Sequence, residues 1–143
     1  MTAEQFLYAR VTHRFTASAE RVFDAWLNPA KARLWFAPGL GPMTVVEIDP
    51  RVGGKFTLTQ RRDGEDVEHT GEYLELVRPT RMVFTWKVPK YSSDSSRIII
   101  DIEPQDSGCL LKLAHELPIE YREYLEGATN AWTTMLAEMA KSL

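Results

Sequence analysis

The sequence predicts an α+β domain in which a curved antiparallel sheet wraps around a long C-terminal helix. Three observations lead to this prediction. Hydrophobic and polar residues alternate at period two through most of residues 43–115. Turn-forming residues interrupt that stretch at short intervals, and the hydrophobic period changes to 3.6 after Pro118. A sheet and an amphipathic helix must then bury their apolar faces against each other, which gives two layers.

The N-terminal part predicts one strand followed by two short helices. Alternating residues over 7–15 form a strand with one drier face. Thr16 or Ser18 can cap the first helix, and Asn28-Pro29 ends it and starts the second with proline at the first position. The apolar residues of the two helices are Val22, Phe23, Trp26, Leu34, Trp35 and Phe36.

Six strands are predicted in the central part of the chain. They cover residues 43–48, 55–60, 67–77, 82–88, 97–102 and 109–115. The breaks between them are short and rich in Asp, Gly, Pro and Ser, so an antiparallel meander is favoured over parallel crossovers, which need a helix between strands. The loop over 89–95 is the longest polar connection, and we expect it to form a mobile rim.

One long amphipathic helix is predicted at the C-terminal end. Apolar residues recur at spacings of three and four from Tyr121 to Leu143, which corresponds to about six helical turns. The only large surface that can cover this stripe is the preceding sheet. We therefore expect the sheet to grip the last helix.

Composition narrows the function classes. The chain of 143 residues has the length of one domain, and its net charge of −3 is mixed along the sequence, unlike the basic surface of a nucleic-acid-binding protein. Cys109 has no partner for an intramolecular disulfide, which fits a reducing compartment. Residues 1–6 lack a signal-peptide pattern, and no apolar run approaches the ~20 residues of a membrane helix. We expect a cytoplasmic protein without membrane insertion.

Six short segments, in their order and spacing, resemble a known family over nearly the whole chain. They are VFDAW at 22–26, WFAP at 35–38, RVGGKF at 51–56, GEY at 71–73, PTRMVFTW at 79–86 and AW at 131–132. The family is similar to the C-terminal domain of the heat shock protein 90 ATPase activator, within the SRPBCC (START-like) superfamily. This resemblance implies the helix-grip fold and a cavity between the concave sheet and the last helix.

The resemblance also has limits. Ala131 occupies a position that is often glycine in the family, so the shape of the cavity there is expected to differ. The eukaryotic activator has a further domain that docks on the chaperone, and we expect no room for one here, so co-chaperone function does not carry over. The family pattern implies no shared catalytic set. Relatives in the superfamily often pair through sheet edges, which leaves a homodimer or another protein partner open.

Aromatic residues are the first candidates for the walls of the cavity. Those expected between sheet and helix are Trp35, Phe56, Phe84, Trp86 and Trp132. Each can be an ordinary core residue or a wall, and a wall suits Trp86 and Trp132 best, because large rigid rings can frame a void without collapsing into it. Met135 and Met139 suit an adaptable pocket, although methionine also fills gaps in a core.

His115 is the polar residue of most interest. By alternation it shares a strand face with Leu111 and Leu113, the face expected to look toward the helix. There it could bind a ligand by a hydrogen bond or act as a general base. Alternatively, it is a core-edge histidine whose hydrogen bond goes to a backbone carbonyl.

His69 and Tyr73 are candidates for the same site. His69 and Tyr73 are an even number of positions apart and so point to the same face of the strand. Leu74 and Leu76, at the alternate positions, point to the opposite face. Both patterns can be buried only if the strand changes register between them. The sequence therefore predicts a β-bulge in this strand.

Metal and nucleophilic chemistry have little support. His13, His69 and His115 lie on three separate predicted strands, and the chain contains no Gly-x-Ser-x-Gly motif. Gly53-Gly54 lacks the lysine-serine/threonine ending of a phosphate loop and precedes a strand rather than a helix, so it indicates a hairpin or bulge with positive φ. We expect neither a metal nor a cofactor.

The preferred hypothesis is that the chain binds a small hydrophobic or aromatic molecule in the cavity under the last helix. Apolar walls would give affinity, and His115, Tyr73 or His69 would orient the ligand. One alternative is a cyclase-, dehydratase- or hydrolase-type enzyme that uses His115 as acid or base. The other is a chaperone-associated or regulatory interaction module. The expectation on which the preferred hypothesis depends is that the stripe from Tyr121 to Leu143 lies in the hollow of the sheet without filling it.

Overall fold

A seven-stranded antiparallel sheet forms the main layer of the computed structural model, which describes residues 5–143. The strands are β1 Phe6–Phe15, β2 Met43–Ile48, β3 Lys55–Arg62, β4 Glu65–Val77, β5 Arg81–Trp86, β6 Ser96–Gln105 and β7 Gly108–Pro118. The helices are α1 Ala19–Leu27, α2 Pro29–Trp35 and α3 Leu125–Lys141. The prediction about a signal peptide at residues 1–6 lies largely outside the described residues.

The order of the strands confirms the predicted sheet. It runs β1-β7-β6-β5-β4-β3-β2, and all neighbouring strands are antiparallel. Only the first strand along the chain leaves the meander, because it pairs with the last one, β7. The predicted strand over 82–88 ends earlier, at Trp86, and Lys87 forms an isolated bridge with Thr70.

One face of the sheet is dry and the other is polar. Ile98, Ile100 and Ile102 of β6 are buried, while the alternate side chains of that strand are more exposed. The opposite face carries cross-strand ion pairs such as Arg97 with Glu116, at 3.1 Å between Nη2 and Oε2. This alternation is typical of an antiparallel sheet with one face against a core and one against water.

The two short helices begin at predicted caps, and the second ends at Trp35, one residue before Phe36, which was expected within it. The Ser18 hydroxyl accepts a hydrogen bond from the backbone N–H of Arg21, which caps α1. Asn28 caps α2 in the same way, with proline at its first position. The Trp35 indole then donates to the carbonyl of Ala25 at 3.0 Å. These contacts place Trp26 and Trp35 against the dry face of the sheet, where both are buried.

The predicted C-terminal helix is correct for most of its length and wrong in its first turn. Residues Ile119–Tyr124 form a 3-10 helix with non-helical dihedral angles at Tyr121, and α3 begins at Leu125. Tyr124 is 58% exposed, so it does not belong to the buried stripe. That stripe consists of Trp132, Met135, Leu136 and Met139. Because a 3-10 helix repeats every three residues, the spacing of the two tyrosines fits both helix types.

No helix within the described residues combines the length and the apolar character that a membrane crossing would need.

The predicted bulge is present in β4. Its register with β5 shifts between Tyr73 and Glu75, which leaves Leu74 as the extra residue. His69 and Tyr73 are buried before the shift, and Leu76 packs against the core after it. The bulge lets one long strand turn Tyr73 and then Leu76 to the inner face, while Leu74, the extra residue, is exposed.

Glycine is required at two positions, at one by a positive φ and at the other by close packing. Gly53 has φ of +84°, as predicted for the turn before β3. Gly71 has ordinary dihedral angles, but a Cβ there would lie 1.9 Å from the Thr85 carbonyl oxygen and 2.4 Å from the Phe56 ring. The ring of Phe56 therefore packs directly over the backbone of β4.

The Gly71→Ala substitution should destabilise the protein by roughly 1–3 kcal/mol, because the added methyl group meets backbone and ring atoms that cannot both move away. Gly127→Ala is the matched control, since a Cβ at that helical position has nothing within 4 Å. It should leave stability unchanged or raise it by up to ~1 kcal/mol. Urea unfolding followed by circular dichroism measures both, and equal effects would contradict this account of Gly71.

Candidate functional site

Trp132 of α3 is the central side chain between the helix and the sheet. Its ring centroid lies 5.4 Å from that of Trp86 on β5 and 5.9 Å from that of Trp26 on α1. Its indole N–H donates to Nδ1 of His115 on β7 at 3.1 Å. One residue thus joins the last helix to two strands and to the first helix.

His115 belongs to a continuous chain of hydrogen bonds. The Trp132 indole can only donate, so Nδ1 of His115 accepts and the proton of the neutral ring lies on Nε2. Nε2 is 2.8 Å from the Ser96 hydroxyl oxygen, which therefore accepts from it. The Ser96 hydroxyl donates in turn to the backbone carbonyl of Trp86 at 3.3 Å. Both ring nitrogens are satisfied by side chains rather than by the backbone carbonyl considered from the sequence.

This chain of hydrogen bonds limits the chemistry of His115. Burial lowers the pKa of His115 to about 4, so the ring is neutral at neutral pH. Its one lone pair is occupied by Trp132, and the nitrogen beside Ser96 already carries a proton. For His115 to accept the Ser96 proton, its own proton would have to move to Nδ1, opposite the Trp132 N–H. The geometry is that of a structural link and not of a nucleophile with its base.

The deep part of the space between sheet and helix is filled by aromatic side chains. A void of about 20 Å³ remains there, lined by Trp26, Trp35, Ile48, Phe56, Leu58, Tyr73, Met82, Phe84 and Trp86. This volume suits no molecule larger than water. Trp35, Phe56, Tyr73 and Phe84, predicted as ligand contacts, therefore lie in the core, and Met139 is fully buried there as well.

A first cleft of about 590 Å³ opens between the β5–β6 loop and the 3-10 helix, and we call it the loop cleft. Its lining residues are Trp86, Val88, Tyr91, Ser92, Asp94, Ser95, Ser96, His115, Leu117, Pro118, Tyr121 and Tyr124. The loop over 89–95, predicted as a rim, forms one side of it. Tyr121 and Tyr124, expected in the buried stripe, form the other side.

A second cleft of about 460 Å³ lies beside α3, and we call it the helix cleft. Its lining residues are Phe36, Ala37, Pro38, Leu40, Arg62, His69, Trp86, Val88, His115, Ala128, Asn130, Ala131, Trp132, Thr134 and Met135. Ala131, where the family often has glycine, is part of this wall. The two clefts adjoin, because Trp86, Val88 and His115 line both of them.

The structure thus divides the ten predicted site residues into two groups. The five that line a cleft are His69, Trp86, His115, Trp132 and Met135. Sequence reasoning did not identify Arg62, Tyr121 or Tyr124 as cleft residues. The two tyrosines belong to the apolar pattern after Pro118, but the spacing between them did not reveal the change from a 3-10 helix to an α-helix. Nothing in the sequence indicated that Arg62 lines a cleft, because an arginine near a hairpin turn is usually solvated.

His69 is buried in an aromatic surrounding. Its Nδ1 donates to the Leu58 carbonyl at 3.2 Å, and its ring centroid lies 4.8 Å from that of Phe36 and 5.4 Å from that of Trp86. Burial, together with the positive charge of Arg62, lowers the pKa of His69 to about 4. His69 and His115 are therefore both neutral, with the proton on Nδ1 in the first and on Nε2 in the second.

The β5–β6 loop is tied to the body of the protein at two points. The Tyr121 hydroxyl donates to Oδ2 of Asp94 at 2.8 Å and lies 3.0 Å from the Ser92 hydroxyl. Lys90 pairs with Glu65 at the start of β4. The loop cleft therefore has a rim that hydrogen bonds hold in place. Mobility of this rim stays a prediction.

Within residues 5–143, no three His, Cys, Asp or Glu side chains group so that they could hold a metal ion. The three histidines lie on β1, β4 and β7. The Cys109 thiol is buried, and burial raises its pKa.

Comparison with known proteins assigns most of the chain to one family. Residues 16–143 match the family described as Activator of Hsp90 ATPase homolog 1-like protein. No curated protein matches the sequence.

Several solved structures share the fold. A protein from Chromobacterium violaceum is 25% identical, with a TM-score of 0.84 over 94% of both chains. A protein of unknown function from Staphylococcus aureus is 18% identical, with a TM-score of 0.80 over 95% of this chain and 92% of that one. The AHSA1-like protein from Aeromonas hydrophila is 17% identical, with a TM-score of 0.78 over 94% and 90%. At these identities the likeness concerns the fold.

The neutral histidines predict a loss of stability in acid. Between their lowered pKa of about 4 and the ordinary 6.5, the unfolded chain binds protons that the folded protein does not. The free energy of unfolding should therefore fall from pH 7 to 4.5, by roughly 2–3 kcal/mol for each histidine. His115→Gln should remove about half of this pH dependence, whatever its effect at pH 7. Denaturant unfolding at several pH values measures it. His13→Gln is the control, because His13 is less buried. If it removed as much of the pH dependence as His115→Gln, the assignment of that dependence to the buried histidines would be wrong.

The Tyr121→Phe substitution should loosen the β5–β6 loop, because it removes the hydroxyl that contacts Asp94 and Ser92. Amide hydrogen exchange over 88–95 should accelerate several-fold, corresponding to ~1–2 kcal/mol of lost hydrogen bonding. Tyr124→Phe is the matched control on the same 3-10 helix. Unchanged exchange in Tyr121→Phe would show that these contacts do not hold the loop.

Proposed function

Because the chain belongs to the activator of Hsp90 ATPase homolog 1-like family, within a superfamily that commonly binds hydrophobic ligands, we propose that it binds a small hydrophobic or aromatic molecule. The proposed place is the pair of adjoining clefts beside α3. The family match supports binding as a class of function, and the geometry supports the place.

The pair of clefts is the observation that carries the proposal. Each has a volume in the range of small-molecule sites, which extends from about 300 to 1,000 Å³. Their walls are mainly aromatic and aliphatic, with a few polar groups among them. Trp86 and His115 line both clefts, so a ligand in either cleft would contact them.

The hydrogen-bond chain through His115 favours binding over catalysis. A general base in this wall would need a free lone pair, and Trp132 occupies the one that His115 has. His115 and Ser96 still present fixed polar atoms beside the clefts. A role in orienting a ligand is therefore better supported than a role in turnover. A chaperone-associated function rests on the family description alone, and no observation on this chain favours it.

Filling the helix cleft should abolish binding there. Ala128 lines the cleft and Ala137 of the same helix is exposed, so Ala128→Phe and Ala137→Phe add the same ring inside and outside the proposed site. We expect naphthylmethanol or naphthoate to bind the parent protein, and Ala128→Phe to weaken that binding about ten-fold or more. Ala137→Phe should leave it unchanged. Isothermal titration calorimetry measures the affinities, and thermal unfolding confirms that both variants fold.

Two results would reject this function. One is that no apolar probe, aromatic or alkyl, binds the parent protein. The other is binding that responds equally to the two substitutions, because the ring at residue 137 lies outside the cleft.

A further inference from the structure

Arg62 is the cationic side chain that lines the helix cleft. It is the last residue of β3 and is half-buried. Among the ion pairs formed within residues 5–143, none includes Arg62. Its neighbour Arg61 differs on both points, because that side chain is exposed and pairs with Asp66 at 3.0 Å.

Gln60 holds the Arg62 guanidinium in place. The Gln60 side chain is 1% exposed, and its Nε2 donates to the carbonyls of Ala37 and Gly41 at 2.9 and 3.0 Å. These two bonds orient the amide so that Oε1 accepts from Nε of Arg62 at 2.5 Å. Only one edge of the guanidinium is thereby used. Its two terminal nitrogens keep the fork geometry that binds a carboxylate through two parallel hydrogen bonds.

The surroundings of Arg62 make its positive charge unfavourable when no anion is bound. The cleft wall beside it is largely apolar, with Phe36, Trp86 and Trp132 as its rings. Burial lowers the pKa of Arg62, and the phenol of Tyr91 acts in the opposite direction. His69 and His115, the other basic groups in this wall, are both neutral. A cation that has lost part of its hydration without gaining an anion is unfavourable, and a ligand carboxylate would offset that cost.

We propose that the helix cleft binds an apolar carboxylic acid, with its carboxylate on Arg62 and its apolar body against Trp86 and Trp132. This inference rests on the proposed ligand-binding function and names the chemical class of the ligand. The loop cleft is the less suitable place for the carboxylate, because Asp94 lines it and would repel a second negative charge.

The test compares a carboxylate with its uncharged isostere. Naphthoate and naphthylmethanol share one aromatic body, and decanoate and decanol form the corresponding alkyl pair. Titration calorimetry should show that the parent protein binds at least one carboxylate about ten-fold more tightly than its alcohol, the size expected for a charge-assisted bidentate contact. The pair that shows the preference identifies an aromatic or an alkyl body.

Arg62→Gln should abolish the preference for the carboxylate while leaving the affinity for the alcohol nearly unchanged. Arg61→Gln is the matched control, because it removes the same charge from the adjacent residue on the solvent side, and it should keep the preference. Thermal unfolding checks that both variants fold, and Arg62→Lys, which keeps the charge without the fork, should retain only part of the preference.

The outcomes separate the two proposals. If the alcohols bind the parent protein as tightly as the acids, the carboxylate site is wrong and the apolar binding function stands. The carboxylate site is also wrong if Arg62→Gln keeps the preference, or if Arg61→Gln loses as much of it. If no probe of either kind binds, both proposals fail together.

Discussion

The contact between Trp132 and His115 is the constraint on which the rest of the site depends. An indole N–H buried without an acceptor costs about 1–3 kcal/mol, so a position of the helix that gives the Trp132 indole an acceptor is favoured. Nδ1 of His115 provides that acceptor, and the Ser96 hydroxyl accepts from the other ring nitrogen. Trp132 is thereby held at one point over the sheet. On one side of it the aromatic rings close the core, and on the other side the two clefts remain.

The same contact decides what kind of chemistry the site supports. A histidine beside a serine suggests hydrolysis if only the two residues are considered. Here the lone pair of the histidine is directed to Trp132, and the serine hydroxyl donates to a carbonyl of β5. Burial then keeps the ring neutral. A group that could have been a base acts instead as a part of the fold with polar atoms at the edge of an apolar space. Because His115 has no free lone pair, such a wall suits the proposed binding of a ligand better than its turnover.

The sequence predicted the fold better than the site, for a physical reason. Alternation at period two reports which face of a strand is apolar, and the conflict between Tyr73 and Leu76 even predicted the bulge in β4. Alternation does not report depth, so Phe56 in the core and Trp86 in a cleft wall had the same pattern. The 3-10 helix was missed because a spacing of three suits both helix types over one turn. Arg62 was missed because its environment depends on how Gln60 is oriented, and Gln60 is oriented by the segment after α2, which is distant in sequence.

The environment of Arg62 links the specificity of the site to its architecture. Gln60 hydrogen-bonds the segment between α2 and β2 through two carbonyls, and that segment supplies part of the helix cleft wall. The same amide orients the guanidinium. A change in that segment would therefore move the apolar wall and the cation together. Asp94, on the rim of the other cleft, is already engaged by Tyr121. The adjoining clefts consequently differ in charge. In the proposed binding mode an amphiphilic anion that spans them has its charged end at β3 and its apolar end toward the 3-10 helix.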